Sequence, residues 1–351
     1  MSSNQTGDES DRPRKVPVEK SAGDPPDSTD LTESVTPVIE VTELSLTAHS
    51  LSRSRWPRRR KHQGNVIDEI SFTIAPGEAV GYVGTIGAAK TTLVDLITGV
   101  AAPTSGRVRV CGLEPSSERE RLARRIGVVS GKHSQLWQYL PLDVSLQILA
   151  RAHELSDAQW LTRRAELVDR LELAAILPLS ANQLSRSKRI RAELAAALIH
   201  EPELLILDEP TVGLDVASKE RLRSFLRQEN RVHGRTLLFT ADELADVEQI
   251  CNRVLVVDHG RLVHDGDVPD LLHRVRAQRT LVVDLVRADR MLDDVPGAEL
   301  IAVEAGGLRQ RLSFTPGTIP TYRVLADVAA RSGIRHLTLE EPDLETLIRR
   351  L

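Results

Sequence analysis

Two cysteines, Cys111 and Cys251, are all the thiol this chain carries, and they lie far apart. That excludes the close spacings of zinc ribbons and redox pairs, and it leaves a reducing compartment as the default. No run of 18 uncharged apolar residues occurs, so no stretch reads as a membrane-spanning helix. The N-terminus lacks the apolar core that a secretory signal needs. A role at a membrane, if there is one, is expected to be peripheral. A large excess of charge of one sign is missing too. The formal net charge is −4 and the pI about 6.2, so no global field argues for nucleic acid, and none is expected as a partner. No internal repeat is visible.

What the chain does have is a sizeable potential core. Its 351 residues are 41% hydrophobic, enough for two domains or for one large domain with appendages. The most informative stretch is Leu204-Leu205-Ile206-Leu207-Asp208-Glu209-Pro210-Thr211. Four consecutive apolar residues read as a buried strand, and the strand ends on two adjacent carboxylates. Acids are almost never left fully buried unless paired or bound to a metal. The tip of such a strand is also where open α/β sheets bind ligands. Alone, the pattern fits equally an ordinary strand that runs into an acidic turn.

A second motif lies upstream, at Gly84-Thr85-Ile86-Gly87-Ala88-Ala89-Lys90-Thr91-Thr92. A phosphate loop needs glycines so that backbone N–H groups can close around phosphate oxygens. It then needs a Lys for the β- and γ-phosphates and a hydroxyl for Mg²⁺. Gly84, Gly87, Lys90 and Thr91 fill those roles, and Ala88, Ala89 and Thr92 complete the loop. The buried run Ala79–Val83 feeds the loop and a helix over 91–99 leaves it. The N-terminus of that helix adds partial positive charge toward a phosphate.

The rest of the chain alternates. Strands are expected at Val38–Val41, 66–74, 106–110, 125–129, 236–240 and 253–258. Helices are expected at 185–200, 217–233 and 242–252. Alternation of this kind means an α/β fold with a largely parallel sheet. Residues 136–184 read as an all-helical insert, with apolar spacing near 3.6 over 161–173. Residues 1–36 are polar and rich in Ser, Asp, Glu and Pro, which predicts a disordered tail. The basic stretch 53–62 reads as a solvated loop or as a patch for anionic lipid headgroups. Residues 271–351 form an α+β appendix, with strands at 280–286, 299–305, 308–314 and 334–339, a helix at 322–332 and a short terminal helix at 344–351. The ligand-binding domain is therefore expected to span 37–270.

Taken together, the motifs resemble the ATP-binding subunits of ABC transporters, and among them those serving exporters with separate, ABC-2-type membrane proteins. The resemblance runs from about Ile39 to Gly266. It covers the phosphate loop, Asp208-Glu209, the dimer-contacting loop at Gly213-Leu214-Asp215, the Gln183-Leu184-Ser185 entry to the signature helix, and the segment Ser134-Gln135-Leu136-Trp137. It implies a P-loop NTPase of ABC type with ATP and Mg²⁺ as cofactors. It implies Asp208 and Thr91 as metal holders, Glu209 as the catalytic acid that activates water, and Gln135 and Ser185 as further nucleotide contacts. It also implies an integral membrane transporter subunit and a second ATP-binding subunit as partners, at the cytoplasmic face of a bacterial cell membrane.

This chain departs from the family pattern at several places. The phosphate loop has Ala89 where the pattern has Gly. The signature reads Leu184-Ser185-Arg186-Ser187-Lys188, with a side chain at 187 where the family has Gly. Ala241 stands where the family has a His that contacts the γ-phosphate. Near Ala48 the aromatic that stacks on adenine is absent, and Lys132 replaces the usual Gln. Each missing transition-state contact costs on the order of 10² to 10³ in rate. Slow or absent hydrolysis is the expectation, with a non-catalytic module that kept the fold as the alternative.

Overall fold

The structure, a computed structural model, describes residues 36–47, 65–84, 90–131, 134–241, 244–276, 279–288 and 290–340. Nearly all of the N-terminal tail, the basic stretch, the adenine position, the terminal helix, and Gly87, Ala88, Ala89 and Lys132 lie outside the described residues.

In chain order the elements are β1 (Ile39–Thr47), β2 (Asn65–Ile74), β3 (Ala79–Gly84), α1 (Lys90–Ile97), β4 (Ser105–Val110), α2 (Arg119–Ala123) and β5 (Ile126–Ser130). Next come α3 (Leu142–Ala152), α4 (Asp157–Arg170), α5 (Arg186–Leu198), β6 (Leu204–Asp208), α6 (Val216–His233), β7 (Thr236–Ala241) and α7 (Leu244–Ile250). The chain continues through β8 (Arg253–Asp258), β9 (Arg261–Asp267), α8 (Val268–Arg276), β10 (Arg279–Leu285), β11 (Ala298–Glu304), β12 (Arg309–Phe314), α9 (Thr321–Arg331) and β13 (Ile334–Glu340).

The central sheet runs β5-β6-β7-β3-β8-β9 and is parallel except for the β8–β9 hairpin. Successive side chains of a strand point to opposite faces, so each buried strand feeds two cores. Leu205, Leu207, Leu237, Phe239 and Val254 share one core with α5 and its alanines. Leu204, Ile206, Leu238 and Leu255 share the other with Leu93 and Ile97 of α1 and with the antiparallel sheet β2-β1-β4. Burial on both faces is why β6 and β7 are continuous apolar runs rather than alternating ones. Gly127 in β5 marks a close helix approach. A Cβ there would lie 2.3 Å from the Ala197 carbonyl of α5.

The helical segment begins at α3. Ser156 caps α4 with a complete capping box, its hydroxyl accepting from the Gln159 amide. Trp160 and Leu167 of α4 pack into the core shared with α5. Beyond α8 a separate antiparallel sheet, ordered β11-β12-β10-β13, has its own core of Leu281, Val283, Leu285, Leu312 and Phe314 under Val324 and Val328 of α9.

Three elements differ from the sequence expectation. The edge strand β9 alternates exposed and half-buried residues and has no apolar run. The helix α2 is only five residues of mostly charged sequence. Helix α8, Val268–Arg276, spans the position 270–271 at which the sequence changes character.

Candidate nucleotide-binding site

The site is built at the C-terminal ends of β3, β5, β6 and β7. Asp208 is the last residue of β6 and only 4% exposed. Strand register puts Ser130 of β5 and Thr240 of β7 on the same rung. Thr240 Oγ1 donates to Asp208 Oδ1 at 2.9 Å, and Ser130 Oγ donates to Oδ2 at 3.4 Å. The same Thr240 hydroxyl accepts from the Glu209 amide at 3.0 Å. The carboxylate is thus oriented by both neighbouring strands.

Glu209 follows with φ +50, in the left-handed region that side chains other than glycine rarely adopt. Such a residue costs on the order of 1–2 kcal/mol and persists where its surroundings over-determine it. Its turn brings Oε1 to 3.9 Å from Lys90 Nζ. Lys90 opens α1, is 7% exposed, and donates to the Gly84 carbonyl at 3.0 Å. The two motifs, far apart in sequence, therefore meet as cation and acid. Thr91 and Thr92 follow in the first turn of α1, both half-buried. A buried carboxylate and a hydroxyl are hard oxygen donors, the set that Mg²⁺ prefers alongside phosphate and water, so Asp208 and Thr91 fit the metal. Among the described residues no cluster of three or more His, Cys, Asp or Glu forms an all-protein metal cage.

Beyond Glu209 the chain is fastened twice. Thr211 Oγ1 donates to Asp246 Oδ2 of α7 at 2.6 Å, and Arg223 of α6 donates to Asp246 Oδ1. Burial alone would raise the Asp246 carboxyl, but the bonds from Thr211 and Arg223 outweigh it and hold it below the usual range. Asp215 caps α6, accepting from the Ser218 amide at 2.9 Å, and that bond with the Ser218 hydroxyl bond depresses its pKa.

The remaining sequence candidates fall differently. Ser185 is the N-cap residue of α5 but makes no side-chain cap bond. Arg186, Arg189 and Glu193 of α5 line a cavity of about 130 Å³ together with Ser130, Asp208 and Glu209. Gln135 does not line that cavity. Its Nε2 donates to the Val128 carbonyl at 2.6 Å, and its backbone amide donates to Glu193 Oε2 at 3.3 Å. Burial pushes the Glu193 carboxyl up, against the bonds from Ser134 and Gln135. Ala241 closes β7 and is 1% exposed. A methyl group there offers nothing to a phosphate.

Sequence reasoning missed Ser130, Thr240 and Asp246. Thr240 and Ser130 were hidden inside or beside strands. Asp246 carried a signal, since an acid between Leu244, Val247 and Ile250 of a short helix is an acid on the buried face.

A family model described as ABC transporter matches residues 67–212. The Nod factor export ATP-binding protein I of Sinorhizobium fredii (strain NBRC 101917 / NGR234) is 33% identical over 308 residues, covering 82% of this chain and 81% of that protein. A solved ATP-binding subunit of an ABC transporter superposes with a TM-score of 0.57 at 25% identity, over 68% of this chain and 92% of that one. An ATP-binding cassette solved as a dimer in a post-hydrolysis state with ADP and phosphate shares the fold, with a TM-score of 0.57 at 20% identity over 66% of this chain and 98% of that one. Phosphate-loop lysine, strand-end acids and sheet order all agree with these likenesses, and the chain belongs to the ATP-binding subunit family of ABC transporters.

Proposed function

We propose that this chain is the ATP-binding subunit of an ABC-2-type exporter, that it pairs with a second ATP-binding subunit, and that it couples ATP to transport through separate membrane subunits at the cytoplasmic face. The observation that carries the reading is the meeting of Lys90 with Glu209 beside the gripped Asp208. Bound Mg²⁺ would supply charge neutralisation for the phosphates. Thr91 and Asp208 would hold it, and Lys90 would receive the β- and γ-phosphates. Lys90 Nζ lies 3.9 Å from Glu209 Oε1, so a phosphate held by Lys90 would sit beside that carboxylate, which would be the base for a water.

No described helix is long and apolar enough to cross a membrane. One further feature supports the reading. A mostly apolar cavity of about 460 Å³ opens between α1, β5 and the ends of α3 and α5, and residues 137–148 expose Trp137, Tyr139, Val144 and Ile148. These suit a segment of a membrane partner. Hydrolysis is weakened in this reading because Ala241 and Ser187 remove two phosphate contacts.

Titration with fluorescent ATP and Mg²⁺ tests the proposal. Wild type is expected to bind and Lys90→Ala to lose at least about tenfold in affinity, the scale of one charge-assisted contact. Phosphate release is expected below roughly one per second, against Glu209→Gln as background. No binding in wild type would move the chain to the non-catalytic alternative. Fast turnover abolished by Glu209→Gln would refute weakened hydrolysis.

A further inference from the structure

The first turn of α5 is tied to the loop after Glu209 by its own side chains. Arg186 Nε donates to the Val212 carbonyl. Ser187 Oγ lies 2.8 Å from Ser218 Oγ, and Ser218 Oγ donates to Asp215 Oδ2 at 2.9 Å. A serine hydroxyl has a single proton to give. Ser218 spends its proton on Asp215, so Ser187 must be the donor to Ser218. The result is a directed chain from Ser187 through Ser218 to a carboxylate, and such chains polarise each bond along them. A glycine at 187 could not make it.

The loop is shaped to receive the helix. Gly213 has φ +73, and a Cβ there would lie 3.1 Å from Arg186 Cδ and Nε. A side chain at 213 would strain the backbone and push the guanidinium away. Ser218 itself is 8% exposed, which lets solvent compete little for its hydroxyl.

We propose that Arg186 and Ser187 clamp the N-terminus of α5 to the segment 211–218 within one subunit, so that the two move as one body, with Ser187 as a positioning residue. The clamp lies beside the acids, because Arg186 shares their cavity. On the proposed function, both segments would meet a second subunit together rather than separately. That consequence rests on the reading of the chain as one of two paired subunits, whereas the clamp itself does not.

Amide hydrogen exchange on the full nucleotide-free chain tests it, comparing wild type with Ser187→Ala, Ser218→Ala, the double variant and Ser187→Thr. Each single alanine change is expected to speed exchange in both 185–190 and 211–218 by roughly three- to tenfold, the size of one hydrogen bond. The double variant should go no further than the larger single, because the two residues share one interaction. Ser187→Thr keeps the hydroxyl and should restore protection. A rise confined to the substituted segment, additive rises, or no rescue by Thr overturns the clamp. Fluorescent ATP is titrated into wild type in parallel. Failure to bind there refutes the proposed function, and the exchange pattern still decides the clamp.

Discussion

The hydroxyl of Thr240 gives its one proton to Asp208 Oδ1 while it receives the Glu209 amide. Replacing it with the near-isostere Val leaves a buried carboxylate oxygen and a backbone N–H without that partner. Stranding a buried polar group costs about 1–3 kcal/mol, more when the group is charged. We therefore expect Thr240→Val to lower the urea midpoint and to weaken Mg²⁺-dependent ATP binding, and Thr240→Ser to restore both. Unchanged unfolding in the Val variant would show that the rung does not orient the acid. Glu209 beside it stores strain of a different kind, in a left-handed backbone held from both sides by its amide bond to Thr240 and by the tie from Thr211 to Asp246.

His153, just past α3, and His200, just past α5, stack with ring centroids 3.8 Å apart and planes 1° from parallel. His200 also bonds the Ile126 carbonyl through Nε2 at 3.0 Å, so three elements meet at the pair. Burial, then the neighbouring His153, push the His200 pKa from its ordinary 6.5 down to about 4, and burial lowers His153 as well. The unfolded chain therefore takes up a proton before the folded one. Stability is full above about pH 6.5 and falls as the pH drops toward 4, by on the order of 2 kcal/mol for His200 alone. Urea unfolding at pH 7 and pH 5 should show this loss in wild type and much less of it in His200→Asn. Equal losses would assign the pH dependence elsewhere. Elements were legible in the sequence where one period dominated. The doubly buried β6 and β7 stand out as apolar runs, whereas β9 does not, because it lies at the sheet edge, where among the described residues its one strand partner is β8. The site divides in the same way. Lys90, Asp208 and Glu209 sit in local motifs, but the bonds from Ser130 and Thr240 to Asp208 join residues 78 and 32 positions apart. Only strand pairing brings them together, and no local pattern announces it. Gln135 shows the converse, a local pattern whose side chain turns to the Val128 carbonyl.

Among the described residues, the core of the sheet β11-β12-β10-β13 is drawn from residues 281–337. A chain ended after Arg276 should therefore keep the cooperative unfolding of the remainder and unchanged ATP affinity, read by urea denaturation and fluorescent ATP. Loss of cooperative unfolding on truncation would show that the C-terminal sheet supports the ATP site. The rung Ser130–Asp208–Thr240 bears on the whole molecule in another way. A slip of one residue along β5 or β7 would turn the side chain that now faces the acid to the opposite side of the sheet. The acid is thus indexed by the register of the interior, not by a surface loop. On heating, it should keep its orientation until the central strands themselves part, and the site has no melting point of its own.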